Sequence, residues 1–235
     1  MSYNVILSRF TTCDIADGLL NLYNISNGGF LPNLQRFSGE PKGTVVGPAY
    51  TVLFESVKKT SQEVNYIDNV PKGSVLVIAL PVELQLPTAP YVKITQAMYG
   101  GLMSTRAQYL GANGTVVFGR IRDVGEHREL NHPVFSYGLG VCAPKMSVKP
   151  SIIGEPLPIL SSDGTQENIC SGDYIVADEN GVVRIPKDIV DMERLINYIQ
   201  KSIEADSLVF KDIKDGVPAK QAQKKHRAAL KELLD

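Results

Sequence analysis

Three charged residues, Arg122, Asp123 and Glu126, follow a double glycine, Gly100-Gly101, with twenty residues between Gly101 and Arg122. These types suit anion binding and metal ligation. A guanidinium carries a permanent charge and a planar fork of donors that matches a carboxylate. Paired carboxylates suit a hard divalent ion such as Mg²⁺ or Mn²⁺, which takes one or two protein carboxylates and completes its shell with water and substrate oxygens. In that role Asp123 binds the ion directly and Glu126 acts through water. The same Asp-x-x-Glu spacing is also that of a capping box, with Asp123 as helix cap and Glu126 at the third helical position, which needs no metal. Arg122 could equally pair with a surface carboxylate, and Gly100-Gly101 could form a plain turn.

Rise per residue shows how these residues could meet. Residues 100–111, as a helix, cover about 18 Å. Residues 115–120, returning as a strand, cover about 20 Å, so the strand ends near the level where the helix began. Gly101 and Arg122 are then neighbours. The free N–H groups and partial positive charge of a helix N-terminus lie beside a guanidinium at the carboxyl end of a strand, where α/β folds bind small anions.

Around this unit the periodicity predicts a helix over residues 12–23, capped by Thr11 or Thr12, with Ile15, Leu19 and Leu22 on one stripe and a break at Asn27-Gly28-Gly29. Strands follow at residues 44–54 and 74–80, with a helix over residues 61–70 between them. Val75-Leu76-Val77-Ile78-Ala79 has no polar face and belongs in a sheet covered on both sides. Pro81, Pro87 and Pro90 mark an irregular connection, after which a helix is expected over residues 91–98. Strands are expected at residues 133–137 and 146–153, and residues 174–177 and 182–185 form a tight hairpin across Asn180-Gly181. Helices over residues 189–210 and 219–234 are separated by Gly216-Val217-Pro218. No repeat or linker divides the chain. The expectation is one α/β unit, with residues 1–188 as the catalytic domain and residues 189–235 as a helical arm that meets another subunit.

Hydrophobic residues make up 43% of the 235 and charged residues 21%, which excludes wholesale disorder. Lys and Arg number 24 against 25 Asp and Glu, so no net field attracts a polyanion, and with no Trp a nucleic-acid surface is not expected. Cys13, Cys142 and Cys170 are scattered and odd in number, matching neither a disulfide framework nor a zinc motif. Cys142 reads as a core residue. No apolar run reaches the roughly 20 residues that span a bilayer, and a cytoplasmic location is expected. His127 and His132 have no helical zinc spacing and read as packed or solvated. Lys220, Lys224, Lys225, Arg227 and Lys231, interleaved with Ala222, Ala229, Leu230 and Leu233, read as an amphipathic helix.

The Gly101, Arg122-Asp123, Glu126 pattern resembles the signature of the 4-hydroxy-4-methyl-2-oxoglutarate aldolase family, which includes the regulator of ribonuclease activity A-like proteins. The resemblance extends through Thr12-Cys13-Asp14-Ile15-Ala16-Asp17-Gly18-Leu19, through Ile94-Thr95-Gln96-Ala97-Met98-Tyr99-Gly100-Gly101-Leu102-Met103 and through Asn180-Gly181-Val182-Val183-Arg184-Ile185-Pro186, and looks closest to the fungal-type members. It implies a three-layer swivelling β/β/α fold with a C-terminal helical extension, and a homotrimer with sites near subunit interfaces. It also implies divalent-metal-dependent (Mg or Mn) cleavage of a small 2-oxo dicarboxylate, 4-hydroxy-4-methyl-2-oxoglutarate, to two pyruvates, with oxaloacetate decarboxylation through the same pyruvate enolate. Carried over by position, the N–H groups of Gly100, Gly101, Leu102 and Met103 hold the substrate carboxylate, and Arg122 lies beside the keto oxygen. Asp123 ligates the metal and Glu126 orients its waters.

The chain departs from many bacterial members at Gly101, where some carry an acid, and at Arg120, where a small apolar residue is common. Arg120 either adds a third cation to the site or points outward. A base for the 4-hydroxyl proton is not evident; a metal-bound water or an acid of a neighbouring subunit's C-terminal helix, such as Glu204, are the candidates. The alternative from another class is a non-catalytic protein-binding regulator like the ribonuclease-inhibitor members, and only an active site requires Arg122, Asp123 and Glu126 together.

Overall fold

Residues 2–40 and 42–234, described by a computed structural model, form in chain order α1 (Tyr3–Leu7), α2 (Thr12–Tyr23), β1 (Phe30–Leu31), β2 (Gln35–Ser38), β3 (Val45–Ser56), β4 (Val75–Ala79), α3 (Gly101–Tyr109), β5 (Gly114–Ile121), α4 (Val124–Glu129), β6 (Val134–Leu139), β7 (Val148–Ile153), β8 (Leu157–Leu160), β9 (Gln166–Ile169), β10 (Tyr174–Asp178), β11 (Gly181–Ile185), α5 (Met192–Lys214) and α6 (Ala219–His226). The main sheet runs β1-β11-β10-β3-β4-β5-β6-β2, with β7 also on β3. Strands β3, β4, β5 and β6 are mutually parallel and the outer pairings are antiparallel.

Strand β4 is buried at every position, as an apolar run without a polar face requires. Leu76 and Ile78 enter one core with Val117 and Ile121 of β5 and Ala107 of α3. Val75, Val77 and Ala79 enter the opposite core with Val116, Phe118 and the β8–β9 hairpin residues Leu157, Ile159 and Ile169. A third core joins Ile15 and Leu19 of α2 to Leu195 and Ile199 of α5 over β10 and β11. The fold is mixed α/β with a C-terminal helical extension. That extension packs on its own chain, with Leu230 against Tyr198 and Ala205, and Arg227 paired to Asp206 at 2.6 Å.

Helix α2 keeps its predicted bounds, and Thr11 and Asp14 form a capping box at its start. Two predicted helices are absent. Residues 61–70 contain only a 3-10 turn at Ile67–Asn69, because the chain there lies along β7, with the Val64 N–H on the Pro150 carbonyl at 3.0 Å. Residues 91–98 are irregular. Their amides bond neighbouring segments instead of carbonyls four residues back: Ala97 donates to the Cys142 carbonyl at 2.9 Å and Met98 to Arg120 at 2.8 Å.

The β10–β11 hairpin forms, but its two-residue loop is Glu179-Asn180, since Asp178 pairs with Gly181. The glycine serves a close approach, because a Cβ on Gly181 would lie 2.8 Å from the Phe30 ring. Residues 219–234 are α-helical only to His226, followed by a 3-10 stretch at Ala228–Leu233. Cys142 is exposed rather than in the core; its carbonyl, not its thiol, is the group the fold uses.

Candidate active site

The helix–strand return expected for residues 100–122 is present. Tyr99 bridges to Ile121 in parallel register, and the Arg122 N–H donates to the Tyr99 carbonyl at 3.0 Å, so the end of β5 lies beside the start of α3. Asp123 then turns the chain into α4. It does so in the left-handed region, at φ 59° and ψ 42°, which a non-glycine residue occupies only at a cost and which Asp tolerates better than most. This conformation argues against the capping-box reading of Asp-x-x-Glu. Asp123 makes no side-chain cap bond to α4. Its carboxylate reaches back across the site, where Oδ2 accepts the Gly101 N–H at 3.2 Å and lies 3.3 Å from Arg122 Nε.

Both carboxylates pack on the double glycine. A Cβ on Gly100 would lie 2.6 Å from Asp123 Oδ2 and 3.2 Å from Arg122 Nε. A Cβ on Gly101 would collide with the Glu126 carboxylate and lie 2.6 Å from Glu126 Cβ. Arg122, Asp123 and Glu126 therefore converge on one spot at the N-terminus of α3. Of the four amides expected to hold an anion, that of Met103 donates to the Gly100 carbonyl at 3.0 Å and that of Gly101 serves Asp123. Leu102 keeps an amide with no carbonyl behind it inside the helix.

A buried chain of hydrogen bonds holds the two site-bearing helices together. His127 Nδ1 is 2.8 Å from Ser104 Oγ, and the His127 ring stacks on Tyr99. The Tyr99 hydroxyl accepts from Ser104 and Thr115 at 3.1 Å, and Thr115 Oγ1 is 3.0 Å from His132 Nε2. Burial pushes the Tyr99 hydroxyl up to about 12 and His132 down to about 4. Burial also lowers His127, with the Arg122 carbonyl and the Asp123 charge opposing it. Both histidines are packed, as supports and not as ligands.

The site opens into a cleft of about 550 Å³. Gly100, Leu102, Met103, Arg122, Asp123 and Glu126 line one wall. The same cleft is also lined by Glu63, Tyr66 and Lys145, from segments 61–70 and 143–150, which sequence reasoning did not associate with the site. Nothing in their spacing signals it, because the two segments meet through long-range contacts along β7, such as the Val64 N–H on the Pro150 carbonyl. Arg120 does not supply a third cation here. Its Nη1 donates to the Leu139 carbonyl at 2.8 Å and its Nε to the Ile94 carbonyl at 3.3 Å. Glu204 pairs with Lys201 at 3.1 Å on α5 and lines a separate cavity with Leu208 and Leu230.

Among the described residues no cluster of three or more His, Cys, Asp or Glu side chains is arranged to hold a metal. A transition-metal cage is thus not what the donors suit. Two carboxylates seated together on a glycine cradle fit a hard divalent ion that retains several waters, which Asp123 would ligate with Glu126 beside it.

Comparison with known proteins agrees with this architecture. The pattern of the RraA-like family, described as Aldolase/RraA, matches residues 12–184. A Halalkalibacterium halodurans protein provisionally named as a 4-hydroxy-4-methyl-2-oxoglutarate aldolase is 31% identical over 214 residues, covering 90% of this chain and 88% of that protein. Protein DlpA of Legionella pneumophila is 33% identical over 202 residues; the alignment covers 84% of this chain, which spans only 27% of DlpA. A crystal structure of an uncharacterized Pseudomonas syringae protein shares 26% identity and superimposes with a TM-score of 0.73, covering 94% of this chain and 96% of that one. With the family pattern matching most of its length and a 31%-identical relative aligned nearly end to end, this chain belongs to the RraA-like family.

Proposed function

We propose that this chain is a divalent-metal-dependent pyruvate aldolase, cleaving 4-hydroxy-4-methyl-2-oxoglutarate into two pyruvates and decarboxylating oxaloacetate through the same pyruvate enolate. The observation that carries the reading is the convergence of Arg122, Asp123 and Glu126 on Gly100-Gly101 at the start of α3. Both substrates are 2-oxo acids that break the C3–C4 bond, and both leave negative charge on the C2 oxygen. The helix N-terminus, with the free Leu102 amide, receives the C1 carboxylate. Arg122 lies within reach of the C2 oxygen, where its fixed charge is more favourable in the transition state than in the ground state. Asp123 would hold a divalent ion and Glu126 would orient its waters, and when bound the ion would supply a second positive charge for the developing enolate. Asp123 is held for this task by the Gly101 amide, and the Ser104–His127 contact keeps α4 in place behind Glu126.

A cytoplasmic homotrimer is part of this proposal. Leu102 is 73% exposed on the cleft wall, an apolar surface that a second subunit would cover. No helix among the described residues is long and apolar enough to cross a membrane. The test is to incubate the purified chain with each substrate, in Mg²⁺ or in chelator, and to follow pyruvate. Metal-dependent pyruvate is expected from both. No pyruvate from either substrate overturns the enzyme reading and leaves a protein-binding regulator.

A further inference from the structure

Both substrates carry a second carboxylate, and the residues so far described account only for the C1 carboxylate and the C2 oxygen. The cleft wall holds two cations, Arg122 and Lys145. Arg122 is already drawn to Asp123 at 3.3 Å and stands at the reacting end. Lys145 lines the same cleft, is exposed, and has no hydrogen bond or ion pair through its side chain among the described residues. The turn that carries it is firmly held. Pro144 starts a 3-10 turn, Ser147 N–H closes it on the Pro144 carbonyl at 2.7 Å, and the Ser147 carbonyl accepts from Val57 at 3.0 Å just before β7 begins. An uncommitted ammonium on a fixed turn, lining the same cleft as an anion site, is a preorganised partner for a carboxylate.

We propose that Lys145 holds the distal carboxylate of the substrate and biases the site towards aldol cleavage over decarboxylation. This rests on the aldolase reading above and deepens it. In aldol cleavage the C3–C4 bond breaks, its electron pair passes to the enolate, and the C4 hydroxyl gives its proton to a base. C3 of the enolate then takes up a proton. The distal carboxylate survives unchanged in the second pyruvate, so an ammonium bound to it stays bound throughout and raises no barrier. In oxaloacetate decarboxylation the distal carboxylate itself is the leaving group: the C3–C4 pair passes to the enolate and C4 departs as neutral CO₂. An ammonium paired with that carboxylate stabilises the ground state and loses its partner on the way to the transition state, which slows the step.

The experiment compares wild type, Lys145→Ala and Lys145→Arg with both substrates in saturating Mg²⁺, with thermal melts as a folding control. For Lys145→Ala, kcat/KM for 4-hydroxy-4-methyl-2-oxoglutarate is expected to fall about tenfold through KM, the scale of one partly solvated charge-assisted hydrogen bond. Its kcat for oxaloacetate should rise, so that the ratio of decarboxylation to aldol turnover at saturation increases severalfold. Lys145→Arg should restore both values towards wild type. Unchanged parameters for Lys145→Ala, or equal loss for both substrates, overturns the proposal while leaving the aldolase reading intact. Absence of pyruvate in the wild type overturns the aldolase reading instead, and this inference with it.

Discussion

Gly101→Ala is the sharpest perturbation this site offers. The Gly101 backbone lies outside the left-handed region, so alanine is free of backbone strain there, and in a helix it is favoured over glycine by up to about 1 kcal/mol. The cost is steric and local. The new Cβ would lie 2.5 Å from Glu126 Cδ and 2.6 Å from Glu126 Cβ, against an ordinary carbon–carbon approach of about 3.5–4 Å. Rotating the Glu126 side chain moves its carboxylate but not its Cβ, so the first turn of α4 must withdraw from α3 by about 1 Å. That movement opposes the 2.8 Å His127–Ser104 contact and the Tyr99 stack. Overpacking of this kind costs about 1–3 kcal/mol, leaving a net loss of up to about 2 kcal/mol once helix preference is included. A Tm fall of up to about 8 °C should follow in a chain of this size. The effect on turnover should be far larger, about 100-fold, because a 1 Å displacement of a positioning carboxylate disrupts geometry that the reaction needs. Melting curves and metal-dependent pyruvate release measure the two effects separately. A Gly101→Ala variant with near wild-type kcat/KM would show that the contact between Glu126 and the double glycine is not part of the working site.

Arg122→Ala should lower kcat/KM for both substrates by about 10²–10³ with little change in Tm, since the side chain is 38% exposed and among the described residues pairs only with Asp123; wild-type turnover would refute its role. Chelation should abolish pyruvate formation, and added Mg²⁺ or Mn²⁺ should restore it, whereas Asp123→Asn should not be rescued at the same metal concentration. His132, lowered from 6.5 to about 4 by burial and by His127, contributes stability that is complete above pH 6.5 and is lost as pH falls towards 4, by about 3 kcal/mol. Urea melts of wild type and His132→Gln across that window should converge at low pH, and parallel curves would refute the assignment. Asp178 accepts from Thr12 N–H at 2.8 Å, Thr12 hydroxyl at 2.7 Å and Asn180 N–H at 2.8 Å, so Asp178→Ala should destabilise the fold by about 2–4 kcal/mol in denaturant melts without changing substrate KM.

The parts of this protein that were legible in its sequence are those governed by local rules. Helix α2 follows from its capping box and apolar stripe, and β4 from a run with no polar face. The adjacency of Gly101 and Arg122 follows from comparing the lengths of a helix and a returning strand. Residues 61–70 and 91–98 misled because their helical spacing was real but their amides found stronger claims elsewhere, on Pro150, Cys142 and Arg120. Backbone donors go where the assembled sheet offers acceptors, and a window of ten residues does not contain those acceptors.

Composition and spacing alone determined the class of the molecule, the family resemblance and the residue types able to bind an anion and a divalent ion. They left Asp123 undecided between a helix cap and a ligand, Arg120 between the site and the outside, and part of the cleft lining unseen. Tertiary structure removed the cap from the first choice, settled the second and supplied the missing lining, through contacts between distant segments. The left-handed turn at Asp123 sends its carboxylate to the Gly101 amide. Two backbone carbonyls hold the Arg120 guanidinium. Packing of segment 61–70 along β7 brings Glu63 and Lys145 into the cleft that Arg122 lines. Side-chain chemistry is a property of the residue, but its direction is set by where the rest of the chain leaves room and partners.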